Sequence, residues 1–383
     1  MKILLVHNYY QQWGGEDTHF ELLIKLLKDK GSSVITYTKD SKNVKTIWDK
    51  VKTALGMLWN GEVYDDITKL IEKHQPDIVQ FQNIYPLITA SAYWACRRRG
   101  VPIIQRISNY RLMCPKGSLF RNNKICELCV NKRFPYPSIM YGCYHGSKLS
   151  SLFFTLAIFF HRFILRSYNL IDKIIFPSEF TQTYYLDKGA IPRKKARVIP
   201  SFSPPDKVRN MQKIKREYYV FAGQLVPEKG IGPLLGLFSK NPSLSLVVIG
   251  YDPSQLLANK YRKYNNIEFK GFMKREEVLA YMKNAKATIM PSLWYDVLPN
   301  VLIESFSVGT PVIAPNIGVF PELIENGKTG MLFKYDGWLE LESLLLKFKK
   351  SRMMVKHVLK RHEERFKSNK FYSSLISLYQ SLK

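Results

Sequence analysis

The chain alternates short apolar runs with amphipathic segments along most of its length. In the first half, six apolar runs are separated by segments with Leu and Phe at helical spacing. These runs are Lys2–Val6, Val34–Thr38, Asp77–Gln82, Val101–Ile107, Lys173–Phe176 and Arg197–Pro200. Short, nearly continuous apolar runs are typical of strands buried on both faces of a parallel sheet. Their alternation with helical segments predicts a doubly wound parallel α/β sheet.

The same alternation restarts after residue 216 and predicts a second α/β domain. Its apolar runs are Tyr218–Ala222, Leu244–Ile249, Asn266–Lys270, Ala287–Met290, Pro311–Ala314 and Gly330–Phe333. Residues 201–216, rich in proline, serine and basic residues, are typical of an interdomain linker. The chain ends in an amphipathic stretch, Phe371–Leu382, which predicts a helix with one apolar face.

We therefore expect two Rossmann-like domains that face each other across a cleft, because ligands of such sheets bind at the carboxyl ends of the strands. The first domain is expected to span residues 1–200, with an insertion at about 108–148. The second is expected at 217–365, after the linker at 201–216. The last segment, 366–383, is expected to form a helix that packs back on the first domain.

The composition narrows the class of protein. Hydrophobic residues make up 46% of the 383 residues and charged residues 23%, which is ordinary for a globular protein and excludes a disordered or collagen-like chain. No run reaches the ~20 apolar residues of a membrane-spanning helix. The N-terminus lacks the apolar core and the cleavage site of a signal peptide, so we expect a cytoplasmic protein.

The charge is strongly basic and unevenly placed. Lys and Arg number 58 against 31 Asp and Glu, which gives a formal net charge of +27. Between Asp77 and Asp172 the only acidic residue is Glu127. A lysine-rich background explains the total, whereas the long acid-poor stretch indicates a positive surface on the first half. Such a surface favours nucleic acid, anionic lipid or phosphorylated ligands.

Two glycines, Gly14 and Gly15, lie between the first strand and the first helix. Glycine at such a turn lets the backbone approach a phosphate, and the helix N-terminus adds positive potential. A tight turn without a ligand explains the pair equally well. The GxGxxG fingerprint is not found here, which argues against a dinucleotide enzyme.

The second domain carries a more specific pattern. Residues 221–230 (FAGQLVPEKG) leave a strand and enter a helix, which places Lys229 where it can neutralise a diphosphate. Further on, Asp296 precedes a helix and Glu304 lies within it, with Pro299 expected in the first helical turn. A helical glutamate is ordinarily a solvated surface residue. Here we favour a binding role, in which Asp296 and Glu304 hydrogen-bond to hydroxyl groups at the two ends of an extended ligand.

These segments resemble the glycosyltransferases of family 4, which have the GT-B fold, and in particular a subset that carries a cysteine cluster. The resemblance covers nearly the whole chain. It is carried by the glycine loop, the G-x-L-x-x-x-K-G segment, the E-x7-E element with its following G-T-P-V-I-A, and residues 321–333 (PELIENGKTGMLF). The resemblance implies transfer of a sugar from a nucleotide-diphosphate donor to an acceptor, with retention of the anomeric configuration and without a metal.

The resemblance also implies roles for the matching residues. Gly15, with Gly14 beside it, would approach the donor phosphates, and Lys229 would pair with them. Glu304 would bind the ribose hydroxyls, and Asp296 would contact the donor sugar. The same segments add four further candidate donor-binding residues: Gln224, Pro299, Asn300 and Val301.

Three positions depart from the family pattern. The first acid of the E-x7-E element is Asp296, and Gln224 replaces a basic residue, so Lys229 carries more of the phosphate charge. Relatives often have L-H-N-Y-R-L-x-C-P where this chain has residues 107–115 (ISNYRLMCP), so Ser108 replaces the histidine near the reacting sugar. Leaving-group stabilisation is electrostatic, so this change need not abolish transfer. The candidate catalytic residues are Asp296, Lys229 and Ser108.

Four of the five cysteines form a C-x11-C-x2-C-x13-C pattern in the insertion. They are Cys114, Cys126, Cys129 and Cys143. A CxxC pair with two flanking cysteines can hold a structural zinc ion, although the spacing is irregular for a zinc ribbon. Reduced thiols in a packed loop and disulfides are the alternatives. No cofactor is expected to be required for catalysis.

Residues 151–168 (SLFFTLAIFFHRFILRSY) are strongly apolar but contain His161, Arg162 and Arg166. The segment is too short and too charged to span a bilayer. One interpretation is a core helix, and the other is a helix that lies on a membrane surface. The acid-poor surroundings support the second, because anionic lipid attracts basic patches.

The sequence thus predicts a retaining glycosyltransferase that takes a sugar from a UDP- or GDP-sugar. The expected acceptor is a saccharide or a lipid-linked sugar in surface-polysaccharide synthesis, which suits a basic, apolar first domain at an anionic membrane surface. The alternatives are a catalytically weakened GT-B binding protein, prompted by Ser108, a GT-B epimerase, and a basic nucleic-acid-binding protein. No C2H2 finger, RNP or helix-turn-helix signature is found, so nucleic acid is not an expected partner.

Overall fold

The computed structural model describes residues 1–203, 217–252 and 255–382. The chain divides into two compact units. The first comprises Met1–Leu119, Cys126–Ser201 and the residues from Phe371 onward, and the second comprises Phe120–Ile125 and Phe202–Lys370. Most of the predicted linker, residues 204–216, lies outside the described residues.

The strands up to residue 198 build one parallel sheet and one short hairpin. In chain order they are β1 (Lys2–Tyr9), β2 (Ser33–Asp40), β3 (Ile78–Phe81), β4 (Ile103–Arg106), β5 (Phe120–Arg121), β6 (Lys124–Ile125), β7 (Lys173–Phe176) and β8 (Ala196–Val198). Six of them form the parallel sheet in the order β2-β1-β3-β4-β7-β8, and β5 pairs with β6 antiparallel. The central strands β3 and β4 are buried at every position, as the continuous apolar runs predicted.

The helices of the same part of the chain are α1 (Gly15–Asp29), α2 (Ile47–Gly56), α3 (Gly61–His74), α4 (Ser91–Arg98), α5 (Pro137–Met140), α6 (Lys148–Phe159) and α7 (Glu179–Asp187). Their limits follow local chemistry. In α3, for example, the Asn60 side chain accepts a hydrogen bond from the N–H of Val63 and caps the first turn. Val63, Ile67 and Ile71 then recur every four residues and bury one face.

The second unit contains another sheet of six parallel strands. They are β9 (Tyr219–Ala222), β10 (Leu246–Ile249), β11 (Ile267–Gly271), β12 (Thr288–Ile289), β13 (Val312–Pro315) and β14 (Gly330–Phe333), in the order β11-β10-β9-β12-β13-β14. The remaining helices are α8 (Ile231–Lys240), α9 (Leu256–Tyr261), α10 (Arg275–Asn284), α11 (Asn300–Ser307), α12 (Phe320–Leu323), α13 (Trp338–Lys347), α14 (Arg352–Arg365) and α15 (Ser368–Gln380). The prediction of two doubly wound parallel α/β sheets is confirmed.

Each sheet has a point where the strand order reverses. In the first sheet this point lies between β1 and β3, and in the second it lies between β9 and β12. Open α/β sheets bind ligands in the crevice beyond the carboxyl ends of the strands at such a switch point. The loops that follow these four strands therefore define where a site is expected in each unit.

From Phe371 onward, α15 lies in the first unit. The buried Tyr379 hydroxyl donates to Oε1 of Gln80 on β3 at 2.5 Å. The Phe371 ring packs edge-on against the His19 ring of α1, with centroids 5.7 Å apart. The predicted apolar face consists of Leu375, Leu378, Tyr379 and Leu382. The first three are buried, whereas Leu382 follows the end of the helix and is half-buried. The last helix thus contributes to the core built around β1 and β3.

Segment 151–168 forms most of α6 and a π-helical turn at Phe160–Ile164. Phe154, Ala157 and Ile158 are buried, and so is His161. His161 Nδ1 lies 2.9 Å from the Ser167 hydroxyl and Nε2 lies 3.2 Å from the Met57 carbonyl. Burial lowers the pKa of His161 to about 4. The segment therefore packs one face into the core, where the histidine is neutral at pH 7, while Leu152, Phe153, Phe159 and Phe160 are half-buried and Ile164 is 57% exposed. Among the described residues, none of the helices is long and apolar enough to cross a membrane.

Candidate functional site

In the second unit, the loops after β9 and β12 pack closely against each other. Lys229 ends a 3-10 turn, Pro227–Lys229, just before α8. Gly230 follows with φ +70°, and a Cβ at this position would lie 1.9 Å from the carbonyl oxygen of Pro291. Only glycine fits this approach. The sequence thus fixes Lys229 against the loop that contains Asp296.

Lys229 and Asp296 form an ion pair. Nζ of Lys229 lies 2.5 Å from Oδ1 of Asp296, and Oδ2 accepts a hydrogen bond of 2.6 Å from the Ser292 hydroxyl. The Asp296 side chain is only 4% exposed, whereas that of Lys229 is 26% exposed. An ammonium group has three N–H donors. The pair can therefore present positive charge to an anion while the buried carboxylate holds the lysine in place.

Trp294, in the same loop, was not among the predicted site residues. The Lys229 Nζ lies 5.0 Å from the centroid of its ring, within cation–π distance. The indole N–H is buried and has no hydrogen-bond partner within the part of the chain that the structure describes. A buried donor without an acceptor is rare in folded proteins, which makes this N–H a candidate contact for a ligand. Its only sequence signal is its place two residues before Asp296.

Glu304 lies within α11, as predicted, and it pairs with a residue that sequence reasoning missed. The Nε of Arg275, the first residue of α10, donates to Oε1 of Glu304 at 2.7 Å. The Nη2 of Arg275 donates to the Ser203 hydroxyl at 2.9 Å. The Glu304 side chain is 16% exposed. Its carboxylate is thus held in one orientation by a cation, rather than lying on a solvated helix face.

The helix α11 begins one residue later than predicted. Pro299 has φ −76° and ψ 117°, which is extended, so it is the N-cap residue and not part of the first turn. Its carbonyl accepts from the N–H of Leu302 at 3.1 Å. Asn300 and Val301 form the first turn, where the helix dipole is positive. Gln224 lies half-buried in the loop that follows β9.

Glu322 also matches a recurrent position in the resembling family, and the structure gives it partners in α14. Arg365 Nη2 donates to Oε1 of Glu322 at 2.8 Å. The Glu322 carbonyl accepts from Arg361 at 2.9 Å and from Arg365 at 3.0 Å. These contacts tie α12 to α14, so Glu322 has a structural function here.

In the first unit, a buried polar pair joins β1 to α1. The backbone N–H of Asn83 donates to Nδ1 of His7 at 3.4 Å, so Nε2 of His7 carries the proton and donates to Oδ1 of Asp17 at 2.9 Å. Both side chains are fully buried. The other oxygen of Asp17 accepts from the N–H of Gly14 at 2.8 Å. The sequence did not single out His7 or Asp17, because their types and spacing match no motif.

The predicted glycine loop is therefore shaped by Asp17. Gly14 has φ −130° and ψ 179°, which any residue adopts. A Cβ at Gly14 would meet only Oδ2 of Asp17, at 3.8 Å. Gly15 is the first residue of α1. Neither the backbone angles nor the space at Gly14 explain a glycine, so a role in approaching a phosphate remains a prediction.

A pocket lies beyond the ends of β3 and β4 in the same unit. It encloses about 410 Å³ of empty space, including its mouth, which is open to solvent. The polar side chains that line it are Glu16, Gln82, Asn83, Gln105, Arg106, Ser108, Asn109 and Arg111. Ser108, the residue in place of the family histidine, thus lines a pocket of basic and amide side chains.

Arg111 is held on one side of this pocket. Its Nη1 donates to Oδ1 of Asn83 at 3.0 Å, and the guanidinium lies 5.3 Å from the centroid of the Tyr10 ring. Tyr10 in turn donates to Oε2 of Glu16 at 2.6 Å. Burial acts to lower the pKa of Arg111, but the charges of Tyr10, Tyr144 and Glu16 outweigh it and the pKa is raised. Arg111 is therefore a firmly held cation.

Unpartnered polar atoms mark the same pocket. Gln82 is 2% exposed, and both its amide nitrogen and its amide oxygen lack a hydrogen-bond partner within the described ranges, as does Nε of Arg111. Arg106 donates to the carbonyl of Ile199 and to the hydroxyl of Ser201, and burial lowers its pKa to about 10. Buried amide groups of this kind are ordinarily satisfied. Their presence beside two arginines fits a ligand with hydroxyl groups and negative charge.

The four cysteines of the insertion are the candidate residues for a structural metal. Burial raises the pKa of the Cys129 thiol. The five cysteines are thiols and not disulfides. Across the described ranges, no group of three or more His, Cys, Asp or Glu side chains is arranged to hold a metal. A structural zinc ion at these cysteines therefore stays a prediction.

Part of the chain, including the candidate site of the second unit, matches a known protein family. Residues 205–370 match the model of the family described as glycosyl transferases group 1. The matched region contains Lys229, Asp296 and Glu304, together with the whole of the second sheet.

Two relatives match more of the chain than residues 205–370. The chain is 27% identical to the uncharacterized glycosyltransferase YqgM of Bacillus subtilis over 229 residues, which are 55% of this chain and 62% of that protein. It is 23% identical to the uncharacterized glycosyltransferase MJ1178 of Methanocaldococcus jannaschii over 90% of this chain and 88% of that protein. A shorter match, 31% identical over 24% of each chain, is to the putative colanic acid biosynthesis glycosyltransferase WcaL of Salmonella typhimurium.

Among solved structures, Anabaena Alr3699/HepE in complex with UDP and glucose superposes with a TM-score of 0.69 at 14% identity, over all of both chains. At this identity the likeness shows the fold alone. The two parallel sheets are those of the GT-B fold, and residues 205–370 match the glycosyl transferases group 1 model, in agreement with relatives that are named glycosyltransferases.

Proposed function

We propose that the chain is a retaining glycosyltransferase of family 4 that takes a sugar from a UDP- or GDP-sugar in surface-polysaccharide synthesis. The acceptor is a saccharide or a lipid-linked sugar at the inner face of the cell membrane. The observation that carries the proposal is the Lys229–Asp296 pair at the switch point of the second sheet. The UDP bound by HepE and the colanic acid pathway named for WcaL support a nucleotide donor and a polysaccharide product.

Lys229 and the N-terminus of α11 would stabilise the leaving diphosphate. Charge develops on the diphosphate as its bond to the sugar breaks, and preorganised positive groups lower the energy of that state. Lys229 is fixed by Asp296 before the reaction begins, so little reorganisation is needed. No metal is required in this account, because the cation and the helix dipole supply the positive potential.

The two carboxylates would hold the two ends of the donor. Asp296 accepts hydrogen bonds from sugar hydroxyls, and Glu304 accepts them from ribose hydroxyls. Glu304 is oriented by its ion pair with Arg275. Hydrogen bonds from hydroxyls to a charged acceptor contribute about 1.5–3 kcal/mol each, which is enough to select a ribonucleotide sugar over inorganic diphosphate.

The pocket of the first unit would bind the acceptor. Its arginines and the unsatisfied amide of Gln82 suit hydroxyl groups and the phosphates of a lipid-diphosphate-linked sugar. Ser108 lines this pocket at the position where relatives have a histidine. Serine has neither the charge nor the basicity of that residue. The acceptor hydroxyl would then attack on the face that the diphosphate leaves, which retains the anomeric configuration.

Slow hydrolysis of the donor tests the proposal without knowledge of the acceptor. Purified protein is incubated with α-linked UDP- and GDP-sugars, and the released sugar is followed by proton NMR before it mutarotates. We expect the α-anomer first, and we expect Lys229→Ala to remove the signal. Initial release of the β-anomer would contradict retention, and equal release by the variant would show that the second unit is not responsible.

A catalytically weakened GT-B binding protein is the second candidate, and Ser108 is the observation that favours it. This candidate predicts UDP or GDP binding with no release of sugar from any donor. Ser108→His tests it directly, since this residue lines the pocket. Release that begins only with the histidine variant would assign the loss of activity to Ser108.

A further inference from the structure

Helix α2 presents an apolar face to solvent. None of its ten residues is buried. Its large apolar side chains are highly exposed: Ile47 is 77% exposed, Trp48 81%, Val51 42% and Leu55 58%. A surface helix of a globular protein ordinarily turns its apolar stripe inward. Here the stripe faces outward, so α2 is an unpartnered amphipathic helix.

The helix is well defined at both ends. The Thr46 hydroxyl accepts from the N–H of Asp49, and the Asp49 carboxylate accepts from the N–H of Thr46, which forms a capping box. After its last turn, Met57 is buried, and its carbonyl accepts from Nε2 of the buried His161 at 3.2 Å. The exposed stripe is therefore not a frayed segment, since α2 is held against the turn that follows α6.

The charges around this stripe are positive. Lys42, Lys45, Lys50 and Lys52 are all exposed, and Asp49 is the only acid among residues 41–60. The carboxylate of Asp49 is already engaged at the N-cap, and Lys52 pairs with the exposed Glu62 at 3.4 Å. A helix with Trp and aliphatic side chains on one face and lysines beside it is typical of helices that lie in the headgroup region of an anionic bilayer.

We propose that α2 is the element that docks this protein on an anionic membrane surface. Ile47, Trp48, Val51 and Leu55 enter the boundary between headgroups and acyl chains, and the flanking lysines contact anionic headgroups. From the sequence, residues 151–168 were a candidate for this role, with a core helix as the other interpretation, and the structure buries one face of that segment. The assignment to α2 rests on the proposed function, because a lipid-linked acceptor would be met at such a surface.

Vesicle flotation of the full-length protein tests this assignment. The vesicles are phosphatidylcholine alone or phosphatidylcholine with about one third phosphatidylglycerol. The test variant is Ile47→Ser/Trp48→Ser. The matched control is Leu339→Ser/Leu346→Ser, which removes two exposed apolar side chains, 83% and 52% exposed, from α13 in the other unit. A second variant, Lys45→Gln/Lys50→Gln, removes charge but keeps the apolar stripe.

We expect the wild type and the α13 control to float with the anionic vesicles and much less with the neutral ones. The Ile47/Trp48 variant should bind the anionic vesicles about tenfold less tightly, and the lysine variant should show a weaker salt dependence. Equal flotation of the α2 variant, or no flotation of the wild type, would overturn the assignment. So would a wild-type dimer that Ile47→Ser/Trp48→Ser converts to monomer without change in vesicle binding.

Titration with UDP and GDP in the same preparations separates this inference from the proposed function. Nucleotide binding by all variants, together with loss of flotation only in the α2 variant, supports both. Nucleotide binding without any flotation overturns the role of α2 and leaves the transferase proposal standing. Flotation without nucleotide binding overturns the transferase proposal alone.

Discussion

Nζ of Lys229 lies 2.5 Å from Oδ1 of Asp296, and this contact joins the loop after β9 to the loop after β12. The two residues are 67 positions apart in the chain. The lysine proposed to bind phosphate and the carboxylate proposed to bind sugar are thus preassembled as a pair. Their functions can be separated experimentally, because one carries positive charge and the other holds and balances it.

We predict that Asp296→Asn lowers donor hydrolysis but preserves nucleotide binding. The amide oxygen can still accept from Ser292, so the loop keeps its shape, while the charged hydrogen bond to the sugar is lost. Loss of such a bond corresponds to about a 10- to 100-fold lower rate. UDP or GDP affinity, measured by calorimetry, should be unchanged or tighter, since Lys229 no longer pairs with a carboxylate. Ser292→Ala is the control, and a variant that binds no nucleotide would contradict this division of roles.

We predict that Glu304→Ala distinguishes a nucleotide from its diphosphate alone. The glutamate is proposed to bind the ribose and not the phosphates, so affinity for UDP or GDP should fall about tenfold or more. Affinity for inorganic diphosphate should stay within about twofold. Competition titration of both ligands against the wild type and the variant checks this. An equal loss of affinity for both ligands would contradict a ribose-binding role for Glu304. The loss would then come from the unpaired Arg275 or from a change in the fold of α11.

We predict that Arg111→Met affects transfer and not donor binding. Arg111 and Gln82 line the pocket of the first unit, whereas Lys229, Asp296 and Glu304 lie in the second. Removal of the guanidinium should lower the rate of transfer to a lipid-diphosphate acceptor by about 10- to 100-fold. Calorimetry should give an unchanged UDP or GDP affinity. Arg98→Met, on the exposed end of α4, is a matched control, and a rate unaffected by Arg111→Met would contradict an acceptor role for the pocket.

We predict that Gly230→Ala destabilises the second unit. Its φ of +70° is unfavourable for alanine by about 1–2 kcal/mol, and the new Cβ would lie 1.9 Å from the Pro291 carbonyl oxygen. Gly236→Ala in α8 is the control, since its Cβ meets only the Tyr261 hydroxyl at 3.8 Å and alanine favours the helix. Thermal unfolding should show a lower midpoint for the first variant only. Equal midpoints would mean that the two loops are not in the close contact described.

We predict a specific pH dependence of stability from His161. Burial lowers its folded-state pKa to about 4, below the unfolded value of about 6.5. Between these values the unfolded state binds more protons, so stability is full above about pH 6.5 and falls as the pH is lowered toward 4. From pH 7 to pH 5 this one histidine should contribute about 1–2 kcal/mol of the loss. Urea unfolding of His161→Gln should show a smaller loss over that range, and equal losses would contradict the assignment.

Local patterns were enough to predict both sheets, because strands buried on two faces leave continuous apolar runs. The hairpin formed by β5 and β6 was missed. Its turn residues, Asn122 and Asn123, have positive φ values of 50° and 57°, and asparagine pairs of this kind are a hairpin signal that could have been used. The strands are only two residues each, too short to produce a recognisable alternation.

The candidate site of the second unit could be proposed from the sequence, whereas the partners of its residues could not. Lys229, Asp296 and Glu304 lie in segments with recognisable spacing. Arg275 lies in no such segment, and nothing local shows that it meets a residue 29 positions away. The same holds for the pocket of the first unit, where Arg111 meets Asn83 at a distance of 28 positions in the chain. These contacts depend on strand order, which a single sequence does not reveal.

Calorimetric titration of the wild type and Lys229→Ala with UDP, GDP and NAD tests the central claim most directly. The account predicts that one nucleoside diphosphate binds, that NAD does not, and that the variant binds about 10- to 100-fold more weakly because it lacks the charged contact to the phosphates. Binding of none of the three by the wild type, or equal binding by the variant, would contradict a donor site at Lys229.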